Sequence, residues 1–96
     1  MTTDTPMVRR LVIIGRVQGV GYRFAFATLA RERNLSGWVR NRADGSVEAI
    51  VAGPSADVDA IIVWARGGPP DATVTEVRVE AMSGEFSGFD IAPTAR

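Results

Sequence analysis

The chain contains no cysteine, no histidine and no lysine. Without thiols there is no disulfide and no thiolate nucleophile. Without imidazole there is no histidine general base, no Ser-His triad and no thiolate or imidazole metal site, so carboxylates that take hard cations are the remaining metal ligands. Any catalysis must run on arginine, amides, hydroxyls and carboxylates. No apolar run approaches the roughly 20 residues that span a bilayer. Met1 to Pro6 is polar and lacks the basic-then-apolar build of an export signal, so the chain is expected in the cytoplasm. Asn34-Leu35-Ser36 then fits the glycosylation acceptor pattern only by chance. That all eleven basic residues are arginine reads mainly as genomic base composition.

What is present suits one compact domain over residues 1–96. At 46% hydrophobic it can bury a core without staples, with 1–6 and 93–96 expected as flexible tails. Repeats, linkers and low-complexity segments are lacking. Net charge is formally zero but unevenly spread. Between Val8 and Arg42 stand eight arginines against the single acid Glu32, whereas the remainder carries three arginines and ten acids. A positive front of this kind suits nucleic acid, and equally a small anion drawn into a cleft.

Met7 to Ile14 is mostly β-branched or aliphatic and predicts a first strand closed by Gly15. Apolar residues at helical spacing (Ala25 or Phe26, Leu29, Ala30) predict a helix over Tyr22 to Asn34. Gly37 to Arg42 and Ser46 to Ala52 predict strands paired around Ala43-Asp44-Gly45, where Asp-Gly signals a hairpin. Ser55 is expected to cap a second helix reaching about Arg66, stopped by Gly67-Gly68-Pro69-Pro70. Val74 to Ala81 alternates as a half-buried strand, and Phe89 to Ala92 reads as a short edge strand. The order β-α-β-β-α-β with a small extra strand predicts an α+β fold. A ferredoxin-like α/β sandwich, with two helices on one face of a mostly antiparallel sheet, buries both helical stripes most simply.

The segment Gly15-Arg16-Val17-Gln18-Gly19-Val20-Gly21-Tyr22-Arg23 joins the first strand to the first helix. Glycines let successive backbone N–H groups point into one concavity, and a helix N-terminus adds unpaired amides and a positive dipole end, so a phosphate-sized dianion is its natural guest. Arg23 supplies a permanent charge and a planar donor fork. Such a turn is about as often only a turn. Its glycines match neither the dinucleotide pattern nor a nucleotide P-loop, which points to a guest smaller than a nucleotide.

This segment, together with Gly37-Trp38-Val39-Arg40-Asn41-Arg42-Ala43-Asp44-Gly45-Ser46-Val47-Glu48, resembles the paired signature of the acylphosphatase family. Gly53-Pro54 before helix two, Gly67-Gly68-Pro69-Pro70 after it and the closing Phe89 extend the resemblance over nearly all of Met7 to Ile91. It implies metal-independent hydrolysis of acyl phosphates to a carboxylate and inorganic phosphate, with no cofactor. It also implies that Arg23 binds phosphate and Asn41 positions water. The amides of Gln18, Gly19, Val20, Gly21 and Tyr22 would complete the phosphate cradle with Arg23. The expected partners are the acyl phosphate and inorganic phosphate, with no nucleic acid, no membrane and a monomeric state.

Plainer roles stand beside these. Gln18 can orient the loop instead of touching substrate, and Tyr22 can pack at the start of the helix. Trp38 reads as a core or sheet-face aromatic, Asp44 as a turn former and Glu48 as part of a solvated strand face. Against the family pattern, Gly21 stands where bulkier residues also occur, Tyr22 where phenylalanine is commoner, and Arg42 where some members carry a small hydroxyl residue. The competing class is a non-catalytic ferredoxin-like binding or accessory module with an RNA or protein partner. RNA readers of this topology stack bases on strand aromatics, however, and these strands lack a Phe/Tyr-rich signature.

Overall fold

The computed structural model describes residues 5–96, so the expectation for Met1 to Asp4 lies outside the described residues. Seven elements follow one another: β1 (Pro6–Arg16), α1 (Tyr22–Glu32), β2 (Ser36–Asn41), β3 (Val47–Pro54), α2 (Ser55–Ala65), β4 (Thr73–Met82) and β5 (Phe89–Ile91). They build a five-stranded sheet of order β4-β1-β3-β2-β5, antiparallel except for the parallel pair β2–β5. This is the ferredoxin-like arrangement expected, with the short extra strand on the β2 edge.

Period-two alternation divides the sheet into two faces. Leu11, Ile13, Val39, Val47, Ala49 and Val51 point to the helices and form one core with Phe26, Ala27 and Ala30 of α1 and Val58, Ile61 and Ala65 of α2. The other face is free of helices. There Arg40 stacks on Trp38, 4.5 Å from its ring centroid. Glu48, expected on a solvated strand face, is instead 6% exposed. It accepts hydrogen bonds from Arg10 Nε at 2.6 Å and Arg40 Nε at 2.8 Å. Burial alone would raise its carboxyl, but the two guanidinium partners outweigh that and hold it below the ordinary value. Alternation predicts which face a residue takes; here the neighbouring strands decide that two arginines close over it.

Several boundaries move for local reasons. β1 does not close at Gly15 but runs on to Arg16, through a register shift against β4 between Ile14 and Gly15. Gly15 is required there by close approach, since a Cβ would lie 2.1 Å from the Thr73 carbonyl oxygen. α1 ends at Glu32, and Asn34 takes the left-handed conformation (φ 57°). Leu35 N–H then bonds to Ala30 O and Asn34 N–H to Arg31 O, the pattern of a Schellman cap, which gives Asn34 a structural task. Ser55 is not a cap but the first helical residue of α2, because β3 runs through Pro54 directly into the helix. Its N–H is satisfied by Thr5 O at 3.2 Å.

The C-terminal stretch 93–96, expected as a flexible tail, is tied to the β2–β3 hairpin. Ala95 N–H donates to Asn41 O and Ala43 N–H to Ala95 O, each at 2.9 Å. The chain beyond β5 keeps the direction of β2, so its backbone finds those partners.

Candidate active site

β1 and β2 are both antiparallel to β3 and therefore run the same way, and β5 runs parallel to β2. The C-terminal ends of β1, β2 and β5 thus meet at one end of the sheet. There the loop 17–21 enters α1, the hairpin 42–46 leaves β2, and Ile91 ends β5.

The loop is shaped by two glycines with positive φ, Gly19 (75°) and Gly21 (80°). Gly21 is the N-cap of α1, in the left-handed region that an L side chain enters only with strain. The first intrahelical bond runs from Ala25 N–H to Gly21 O. The amides of Gly21, Tyr22, Arg23 and Phe24 therefore have no partner one turn back. With no acid in the first turn of α1, nothing there offsets the positive end of the helix dipole. Arg23, at the second helical position, is half-buried and takes part in none of the ion pairs among the described residues. Gly19, Gly21, Tyr22 and Arg23 line a cavity of about 190 Å³ with Val17, Phe24 and Ile91. The cavity thus gathers four of the six residues expected to hold substrate.

Gln18 has another task. Its Nε2 donates to Arg42 O and to Ser46 O, both at 2.8 Å, so both side-chain N–H groups are used in locking the loop to the hairpin. Tyr22 also keeps its side chain from the cavity's chemistry. Its ring is buried against Phe26 and Trp64, and its hydroxyl donates to Ala65 O at 2.7 Å, at the end of α2. Burial pushes the phenol well above its usual range. Gly68 makes room for this ring, since a Cβ there would lie 2.6 Å from it.

Asn41 is the last residue of β2, paired with Val47 of β3 and thereby in one row with Ile13 of β1. That row lies on the helix side of the sheet, at the end where the loop and Arg23 lie. Asn41 does not itself line the 190 Å³ cavity. Its Oδ1 is buried and has no hydrogen-bond donor. The hairpin next to it is fixed: Gly45 N–H bonds to Arg42 O, Arg42 N–H to Ser46 O, and Asp44 Oδ1 accepts from Ser46 N–H and Oγ–H. Asp44 thus serves the turn, as its place in the sequence suggested.

A larger hollow, about 380 Å³, opens on the helix-free face between Arg10, Arg40, Arg42 and Glu48. Of the four arginines that line it, all but Arg96 already have carboxylates beside them. Arg10 pairs with Glu48 and Glu80, Arg40 with Glu48, and Arg42 lies 3.8 Å from Asp44. An incoming anion would have to displace those carboxylates, whereas Arg23 has none to displace.

Sequence reasoning missed Val17, Phe24 and Ile91 as cavity residues. Phe24 carried a signal: it stands two positions from both Tyr22 and Phe26, roughly 200° around the helix from each, off the buried stripe. Ile91 carried none, because its place depends on β5 pairing with β2.

Comparison with known proteins bears on the family and the fold. The acylphosphatase family model matches residues 9–91. An acylphosphatase of Cupriavidus necator is 52% identical over 85 residues, covering 88% of this chain and 92% of that protein. The crystal structure of acylphosphatase from Bacillus subtilis superposes with a TM-score of 0.86 at 34% identity, over 90% of this chain and 98% of that one. An acylphosphatase structure from Coxiella burnetii gives 0.88 at 30% identity, over 96% and 100%. With sequence and fold in agreement from the first strand to the last, the chain belongs to the acylphosphatase family.

Proposed function

We propose that this hydrolase cleaves small acyl phosphates in the loop at the C-terminal ends of β1, β2 and β5, with Arg23 and the loop amides holding phosphate and Asn41 orienting water. The reaction is R-CO-O-PO₃²⁻ + H₂O → R-COO⁻ + H₂PO₄⁻. The water oxygen bonds to phosphorus as the bond from phosphorus to the acyl oxygen breaks, and the carboxylate departs with that electron pair. A carboxylate is already stable as an anion at neutral pH, so no general acid is needed and the lack of histidine is no obstacle. The work left to the protein is positioning and stabilisation of charge on the equatorial oxygens. The amides of Gly19 to Tyr22 and the Arg23 guanidinium suit that task. Gln18 contributes through its side chain as a positioning residue.

The single observation that carries this reading is the Asn41 carboxamide oxygen, buried without a donor at the same end of the sheet as Arg23. A buried acceptor left unmatched costs about 1–3 kcal/mol, and such groups call for an explanation. As placed, that oxygen is closed to solvent, so acting on water requires the Asn41 carboxamide to turn towards the cavity; there it would accept an O–H and leave a water lone pair free to face phosphorus. An amide is too weak a base to take the proton, which passes instead to a phosphate oxygen of the substrate. Among the described residues no carboxylate lines the cavity, so those residues offer no ligand set for a hard cation.

The RNA-binding alternative gains little support. The helix-free sheet face presents Trp38 already stacked with Arg40, and Arg10 and Arg40 there are paired with Glu48.

The test is Asn41→Ala with benzoyl phosphate. The variant should lose about a hundredfold or more in kcat, as for a group acting only in the transition state, while inorganic phosphate inhibits it at near the wild-type concentration. Undiminished kcat would remove Asn41 from the mechanism.

A further inference from the structure

Five large apolar side chains stand exposed among the described residues: Phe24, Val63, Val79, Met82 and Ile91. Single exposed apolar residues are ordinary and need no cause. Two of these five, however, line the same small cavity as Gly19, Gly21 and Arg23. Phe24 is 71% exposed and Ile91 41% exposed, and they belong to different elements, one in the first turn of α1 and the other at the end of β5. The cavity therefore has two chemical surfaces. Backbone amides and a guanidinium suit an anion, while Phe24, Ile91 and Val17 offer only hydrocarbon.

We propose that Phe24 and Ile91 seat the acyl half of the substrate, so that the protein favours acyl phosphates bearing an apolar aryl or branched aliphatic group. This rests on the loop and Arg23 being the phosphate seat. A phosphoryl group held there leaves its anhydride oxygen and acyl carbon as the next atoms outward, and the remaining walls are apolar. Among the described residues Arg23 is the only charged one in the lining. A second carboxylate on the acyl group would compete with phosphate for one guanidinium and would lose hydration against the Phe24 ring without a partner. An acetyl group is too short to cover much of that ring. Because the Phe24 and Ile91 side chains both remain exposed beside the cavity of about 190 Å³, they act as a lip covering one face of the acyl group.

The experiment measures kcat/KM for benzoyl phosphate and acetyl phosphate with the intact chain, Phe24→Ala and Phe24→Leu. Contact with roughly 50 Å² of apolar surface corresponds to about tenfold, which is the preference expected for benzoyl over acetyl in the wild type. Phe24→Ala should erase most of that ratio, Phe24→Leu should retain most of it, and Ile91→Ala should lower it in the same sense. The concentration of phosphate that inhibits each protein should stay within about twofold. A ratio unmoved by Phe24→Ala, or lowered as far by leucine as by alanine, overturns the acyl seat while leaving the phosphate site standing. If the wild type hydrolyses neither substrate, the phosphate reading itself fails and the acyl seat falls with it.

Discussion

At position 41 function and stability pull in opposite directions. The Asn41 oxygen is buried without a donor, so removing it relieves an unmatched acceptor. The same Asn41→Ala variant that loses turnover is therefore expected to unfold at a denaturant midpoint equal to or above that of the wild type; a clear drop would mean that the amide serves the fold. Glu48 is the opposite case, a buried carboxylate with two guanidinium partners. Those partners are themselves about a third exposed, which tempers the interaction, so Glu48→Gln should cost about 1–2 kcal/mol at pH 7. The sign of the pH effect follows from a folded-state value held below the ordinary 4.5. The stabilisation is full above 4.5 and is lost as pH falls through the lower, folded-state value. Denaturant titrations should show the two proteins diverging at pH 7 and converging in acid.

Among the elements, α1 links the site to the rest of the protein at both ends. Its first residue, Tyr22, is bonded to the end of α2, and near its C-terminus Arg31 donates twice to Phe89 O, at 3.0 and 2.8 Å, which anchors β5. The helix that presents Arg23 thus also positions the strand that ends in Ile91. The loop before α1 is held by Gln18 alone among the side chains that bond across to the hairpin. Gln18→Leu fills similar space but deprives two carbonyls of their donor. It should lower kcat roughly tenfold by loosening the loop relative to Asn41 and cost about 1–2 kcal/mol in stability, with phosphate inhibition changed much less. Equal effects on kcat and phosphate binding would instead place the Gln18 amide against substrate. That the loop and the hairpin existed was legible in the glycines and in Asp44-Gly45. That Gln18 fastens one to the other was not, because its partners are backbone carbonyls 24 and 28 residues away.

For the whole molecule the mechanism requires no group that titrates near neutrality. A chain without histidine or cysteine, with no carboxylate lining the cavity among the described residues, should show kcat nearly flat between about pH 5 and 8 and no loss of activity in a chelator. A bell-shaped profile centred near pH 7, or inactivation by EDTA reversed by a divalent cation, would contradict it. The sequence by itself determined the element order, the hairpin at Asp44-Gly45 and the kind of chemistry available, because periodicity, turn preference and side-chain inventory act locally. Only the tertiary structure decided that three strand ends converge, that Gln18 is spent on the hairpin, that Glu48 is buried between arginines and that Phe24 and Ile91 border one cavity with Arg23. Each of those depends on strand order and register across the sheet. Such long-range pairing is fixed by the core as a whole and leaves no mark on the residues nearby in the chain.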